Sequence, residues 1–247
     1  MNKNRKDILW QSQDIACRYL QGVRGAIPLA DEQFDVMLRL LSASGRPIRR
    51  FIDLGCGDGV LSEVLLDRFP ESTGLLLDFS EPMLHAAVSR LGGYGDRVRI
   101  ESADYADPAW VQRADRPGTL DAVISGYSIH HQPDPIKKRI YQQIYDLLAP
   151  KGMFIHIEHV ASCSPWATDL AEAHLTDAFD AVHQPGDEAR QQDDSAASRQ
   201  AERENKQANI LAPVEDQCRW LEQIGFTDVD CYLKVFELAV FAGRKPV

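Results

Sequence analysis

Cysteine is scarce. Five occur in 247 residues (Cys17, Cys56, Cys163, Cys218 and Cys231), an odd number, widely spaced and without a Cys-x-x-Cys pair. That spacing suggests neither a disulfide framework nor a zinc finger. Long apolar runs are missing too: none approaches the roughly 18 residues needed to cross a bilayer. Residues 1–7 are polar and lead into no apolar leader stretch. The expectation is a cytoplasmic protein with no membrane partner. Positive charge is in deficit, with 27 Lys and Arg against 37 Asp and Glu, a net −10. Phosphate backbones reward clustered cations, so this balance does not favour nucleic acid as a partner. The deficit is uneven. Residues 1–50 carry nine basic and five acidic residues, hence +4, which leaves −14 for the remainder. Finally, Gln184 to Gln207 contains no Val, Ile, Leu, Met, Phe, Trp, Tyr or Cys. Such a stretch cannot line a core and reads as a solvated helix, a mobile lid or a disordered loop.

What is present is ordinary for a globular protein: 44% hydrophobic and 26% charged residues. The length suits one large domain, or one with an insertion. Residues 7–20 predict an amphipathic helix, and Asp31 predicts the cap of a second helix that runs to about Leu41 and stops at Gly45. From residue 50 short apolar strands alternate with helical stripes. Strands are expected at 51–54, 75–78, 98–100, 120–124 and 153–157, and helices at 60–69, 81–91 and from Asp134-Pro135 to about 148. Such alternation predicts a parallel sheet with helices on both faces. It breaks near residue 161. Residues 165–182 look helical, Pro213–Ile224 reads as a helix stopped by Gly225, and 229–233 with 235–242 reads as a closing hairpin.

The densest signal is Asp53-Leu54-Gly55-Cys56-Gly57-Asp58-Gly59, after a strand and before a helix. Glycines there let the backbone turn tightly and approach a ligand. The spacing is GxGxG; the dinucleotide fingerprint needs glycine where Val60 stands. Asp78 ends the next strand, placed for two ribose hydroxyls, and Asp104 follows the third strand, placed for an adenine amino group. Cys56, inside the loop, reads as a small packed side chain rather than a nucleophile.

With these residues in order, the chain resembles the class I S-adenosylmethionine (SAM)-dependent methyltransferases over about residues 48–160. The matching segments are the Asp53–Gly59 loop, Asp78-Phe79-Ser80 with Pro82-Met83-Leu84, Ala103-Asp104, Asp121-Ala122-Val123 and Leu148-Ala149-Pro150-Lys151-Gly152. The resemblance implies a Rossmann-like α/β fold, a mostly parallel seven-stranded sheet with a C-terminal antiparallel hairpin, and SAM as cofactor. It implies that Gly55, Gly57 and Gly59 line the methionine and ribose, that Asp53 helps hold the amino-acid end and that Asp78 binds the ribose. Phe79 and Met83 would flank the adenine and Asp104 would take its amino group, with Tyr105 and Ser125 as further cofactor contacts. A sulfonium methyl is electrophilic without a metal or base, so alignment with the acceptor is the main requirement. A base is needed only where the acceptor carries a proton of high pKa.

Strand ends face the ligand crevice in open parallel sheets. Tyr127, His130 and His131, after the fourth strand, are therefore candidate catalytic or acceptor-binding residues, and His159, after the fifth, is another. Turn-capping by the His pair is the competing reading. His156 and Glu158 share a strand face by the period of two, and His174, Asp177 and His183 follow. Two His and a carboxylate can hold a metal, but the spacing matches no metal motif and no metal is assigned.

The tail, from Glu204-Asn205 through Pro213-Val214-Glu215-Asp216, Trp220-Leu221 and Ile224-Gly225-Phe226 to the final hairpin, is similar to the carboxy-SAM synthase branch of a tRNA-modifying pathway. That branch reads closer to GCSxG in its loop, and its carboxylate-binding arginine would fall near Arg199 or Arg203. The expected organisation is one methyltransferase domain: a helical cap (1–48), a SAM-binding core (49–160), a lid (161–208) and a closing helix and hairpin (209–247). The expected activity is methyl transfer to a small-molecule acceptor. The alternatives are carboxy-SAM synthesis or another SAM-modifying reaction, and a non-catalytic SAM-binding regulator. Composition leaves the oligomeric state open.

Overall fold

A computed structural model describes residues 5–20, 24–114, 116–182 and 208–247. Seven strands, β1 (Arg50–Leu54), β2 (Thr73–Asp78), β3 (Val98–Ser102), β4 (Leu120–Gly126), β5 (Leu148–His159), β6 (Thr227–Val235) and β7 (Leu238–Arg244), form one sheet. Its order is β3-β2-β1-β4-β5-β7-β6. The first five strands pair in parallel; β7 is antiparallel to β5 and to β6. The helices are α1 (Gln13–Arg18), α2 (Ala30–Ala43), α3 (Val60–Arg68), α4 (Glu81–Leu91), α5 (Asp134–Leu147), α6 (Pro165–Val182) and α7 (Val214–Ile224).

The inner strands β1, β2, β4 and β7 are buried at nearly every position because both faces are covered, and the two-residue period divides each run between two cores. Ile52 and Leu54, Leu75 and Leu77, Val123, Phe154 and Phe241 share one core with Ile140, Tyr141 and Ile144 of α5 and Leu221 of α7. Phe51, Leu76, Ala122 and Ile124, Ile155 and Ile157, and Val240 and Ala242 share the other with Met37 and Leu41 of α2, Leu65 and Leu66 of α3, and Leu84 and Leu91 of α4. Between β1 and β4 the strand order reverses direction, which opens a crevice at their carboxyl ends.

Three expectations need correction. The helix over 7–20 is interrupted: Lys6–Gln11 is a 3₁₀ turn, Ser12 is extended, and α1 follows. Tertiary bonds explain the break. Asp7 is buried with its carboxylate given to Arg5 and Gln132, and the Trp10 carbonyl takes the Ser80 hydroxyl. Asp31 does not cap α2, which begins at Ala30 behind a left-handed Leu29 (φ 57°) and runs past Leu41 to Ala43, with Asp31 inside the first turn. There it still favours the helix N-terminus electrostatically. The fifth strand is longer than 153–157, because Leu148–Gly152 continues it beside β4 through an irregular register. Most of the expected lid, residues 183–207, lies outside the described residues, as do His183, Arg199 and Arg203. No helix of the described residues is long and apolar enough to cross a membrane.

Candidate active site

The glycine loop joins β1 to α3 at the crevice. Gly55, Gly57 and Gly59 all have positive φ (71°, 54° and 81°), a region that favours glycine, but their surroundings differ. A Cβ on Gly55 would lie 1.9 Å from Ser128 Oγ, and one on Gly59 would lie 2.7 Å from Leu91 Cδ1. Those two glycines permit close approach of the β4 loop and of α4. Gly57 has open space on its Cβ side, with nothing within 4 Å. Beside it, the buried Asp78 carboxylate accepts the Gly57 N–H at 2.9 Å and the Ser80 N–H at 2.8 Å. Burial raises the Asp78 pKa, while the backbone donors pull it back. An open cradle edged by a carboxylate suits a ribose that offers hydroxyl donors.

Other cofactor candidates gather nearby. Met83 is buried in the first turn of α4, whose N-cap Ser80 accepts its N–H. Phe79 is half-buried, and Asp104 accepts the Ala106 N–H at 2.9 Å. The Tyr105 hydroxyl lies 2.9 Å from the Ser128 carbonyl and 2.6 Å from its Oγ, and burial pushes its pKa well up. Asp53 is buried and accepts the Ser62 hydroxyl at 2.7 Å. Ser125, fully buried, donates to the Leu54 carbonyl at 2.7 Å and so braces β4 against the loop's entrance. Cys56 is buried, and burial lifts its thiol pKa well above the ordinary value. That is the state of a packed thiol, not a nucleophile.

On the acceptor side, β4 and β5 end together. Tyr127 has a left-handed backbone (φ 49°), donates its N–H to the Ile157 carbonyl and its hydroxyl to Gln33 of α2 at 2.8 Å. The three candidate histidines do converge. The His130 and His131 ring centroids are 4.0 Å apart, and those of His130 and His159 are 5.7 Å apart. Glu158 organises them: it receives the backbone N–H groups of His130 and His159 (2.9 and 2.8 Å) and sits 2.5 Å from His130 Nδ1. His156 Nε2 lies 2.7 Å from its other oxygen. Burial alone would raise the Glu158 pKa, but its contacts with the His130 and His156 imidazoles outweigh it and hold the carboxyl well below its usual range. Burial lowers His130, with Glu158 opposing. An ionised Glu158 therefore faces a neutral His130 that presents Nδ1–H to it, leaving Nε2 as the free lone pair.

His131 is differently committed. Its Nε2 receives the Trp10 indole N–H at 3.0 Å, which makes Nε2 an acceptor, so Nδ1–H donates to the Ala208 carbonyl at 3.2 Å. Burial, with His130 beside it, pushes its pKa well below the ordinary value. His159 Nε2 pairs with Glu237 of the β6–β7 turn at 3.0 Å, and Glu237 also accepts the Thr168 hydroxyl. Among the described residues no group of three or more His, Cys, Asp or Glu is arranged to hold a metal ion.

Several residues of this site carry no sequence signal: Arg5, Asp7 and Trp10 from the N-terminal turn, Gln33, Gln132 and Glu237. Only folding brings them here, and none belongs to a motif. Glu158 stands in view beside His156 and His159, yet its pairing with His130, 28 residues away, joins the end of β5 to the 3₁₀ turn after β4.

A Rossmann-like crevice with a glycine cradle, a carboxylate ending β2 and a second after β3 is an arrangement that could hold a nucleoside cofactor. Residues 51–152 match the model of a methyltransferase domain family. Over 71 residues, 28% of this chain and 26% of the relative, the sequence is 44% identical to a trans-aconitate 2-methyltransferase of an Acidovorax species. It is 26% identical to a carboxy-S-adenosyl-L-methionine synthase of a Nitratiruptor species over 151 residues, 61% of this chain and 60% of the relative. The fold superposes on human N-acetylserotonin methyltransferase in complex with SAM with a TM-score of 0.63 at 14% identity, covering 100% of this chain and 60% of that one. Residues 51–152 thus carry the signature of a methyltransferase domain, and the described residues share the fold of solved methyltransferases; both support SAM as cofactor. The chain spans less than two thirds of the length of each of these relatives.

Proposed function

We propose that the protein transfers the SAM methyl group to a small-molecule acceptor bearing an ionisable proton, with His130 as the base. The observation that carries this is the buried His130–Glu158 pair at the joined ends of β4 and β5, at 2.5 Å. SAM supplies an electrophilic methyl that needs only in-line alignment with the acceptor. Asp78 and the Gly57 cradle hold the ribose side, Asp104 and Phe79 the adenine, and Asp53 supports the loop near the amino-acid end. Glu158 keeps Nδ1–H of His130 in place, so Nε2 carries the lone pair that takes the acceptor proton; the resulting imidazolium is then neutralised by Glu158. His159 and Tyr127 line the acceptor side. The trans-aconitate and ubiquinone-biosynthesis names of curated relatives support a small acceptor.

A second reading, carboxy-SAM synthesis, is favoured by the relative of that name, which aligns over 61% of this chain. Mass spectrometry of the ligand that co-purifies with the protein separates the two. We expect SAM or S-adenosylhomocysteine. A carboxylated cofactor would establish the second reading and end the first.

A further inference from the structure

The 3₁₀ turn Lys6–Gln11 and its preceding Arg5 lie across the crevice, bonded to residues from both halves of the site. Arg5 Nη1 donates to Asp104 Oδ2 at 2.5 Å, and its guanidinium carbon stands 5.7 Å from the Phe79 ring centroid. Those are the two features assigned above to adenine: an acceptor for its amino group and a face for its ring. The other Asp104 oxygen already receives the Ala106 N–H. Arg5 is itself aimed. Asp7 takes its Nε at 3.0 Å and Nη2 at 2.5 Å, and Asp7, 2% exposed, is anchored by the Gln132 side-chain amide at 2.8 Å. Three residues on, the Trp10 carbonyl receives the Ser80 hydroxyl and the indole N–H is given to His131.

A guanidinium is planar, carries hydrogen-bond donors along its edge and lies against aromatic faces. Adenine is planar, carries an amino donor on its edge and stacks on the same kind of face. Both ask for the same Asp104 oxygen and the same side of Phe79, and the two cannot share them. Asp78, which faces Gly57 and Ser80, is bonded to a different set of partners.

We propose that residues 5–11 form a strap that competes with the adenine of the cofactor, Arg5 occupying the adenine subsite, and that displacement of the strap frees His131 from Trp10. Cofactor loading is thereby coupled to the acceptor side, because one short segment bridges both. The strap holds the acceptor wall in one arrangement until adenine takes Asp104. The proposal rests on the SAM reading of the site, and the test separates the two.

Titration calorimetry of the wild-type chain and Arg5→Ala with SAM, and separately with adenosine, reads the competition. Loss of one partly exposed ion-pair contact should tighten both ligands about three- to tenfold in the variant. Equal or weaker binding by Arg5→Ala overturns the strap while leaving the cofactor assignment standing. Absence of SAM binding in both proteins overturns the cofactor assignment and the strap with it. A second measurement needs no affinity change. SAM should alter the tryptophan emission of the wild type by a component that Trp10→Phe lacks, and identical responses in the two proteins count against displacement.

Discussion

The Trp10 indole N–H donates to His131 Nε2 at 3.0 Å, and that bond distinguishes two adjacent histidines that the sequence leaves equivalent. His131 must then carry its proton on Nδ1, toward Ala208, and has no lone pair to offer. His130, held from Nδ1 by Glu158, carries its lone pair on Nε2.

Replacing His130 by Ala should lower kcat about 10²–10⁴-fold, the usual worth of general base catalysis, with SAM affinity little changed. Glu158→Gln should lower kcat less, because the imidazole remains but its protonated form is no longer neutralised. Steady-state kinetics with calorimetry checks both. Full activity in His130→Ala would remove it from the mechanism.

The pH dependence of stability follows from two signs. His131 is depressed, so the folded state resists its protonation while the unfolded chain accepts it. Stability is therefore highest above about pH 6.5, the ordinary imidazole value, and falls as pH drops below it, by up to about 1.4 kcal/mol per pH unit. His131→Gln should flatten that slope in urea melts between about pH 7 and 5. Glu158 is also depressed, so its contribution is present above the ordinary carboxylate value of about 4.3 and is lost only as pH falls further. The stability gap between wild type and Glu158→Gln should close below that pH.

Asp78→Ala should weaken SAM by roughly 1.5–3 kcal/mol, the range for hydrogen bonds to a charged group. Calorimetry that showed unchanged affinity would refute the ribose assignment.

The three loop glycines should separate by experiment. Gly55→Ala places a Cβ into Ser128 and should destabilise the fold by several kcal/mol, on the order of overpacking plus left-handed strain. Gly57→Ala meets only open space, so its cost should be about 1 kcal/mol of backbone strain, yet the added methyl enters the cradle and should impair SAM binding. Thermal melts alongside SAM titration give both readouts.

Much of this architecture is legible in the residues. The apolar runs at Phe51–Leu54, Leu75–Leu77 and Leu120–Ile124, the Gly55–Gly59 spacing, Asp78 and Asp104 are local patterns, and local patterns report strands, turns and their ends. Residues 148–152 mislead because Pro150 and Gly152 normally end a helix, and only pairing with β4 shows that the chain is already extended there. The 7–20 segment misleads because its apolar spacing is helical while its polar groups bond elsewhere.

The alternation of strands and helices, the glycine loop with its two downstream acids, and the resemblance to SAM-dependent methyltransferases over residues 48–160 are written in the chain itself. Each depends on residues close together in the chain or on spacing along it. Only the folded chain gives His130 and His131 different partners, Glu158 for one and Trp10 with Ala208 for the other, and sets Arg5 on Asp104, 99 positions away. Those are hydrogen bonds between segments distant in sequence. Their geometry is set by how the sheet brings the ends of β4 and β5 together and how the N-terminal turn lies across the crevice, and no periodicity encodes it.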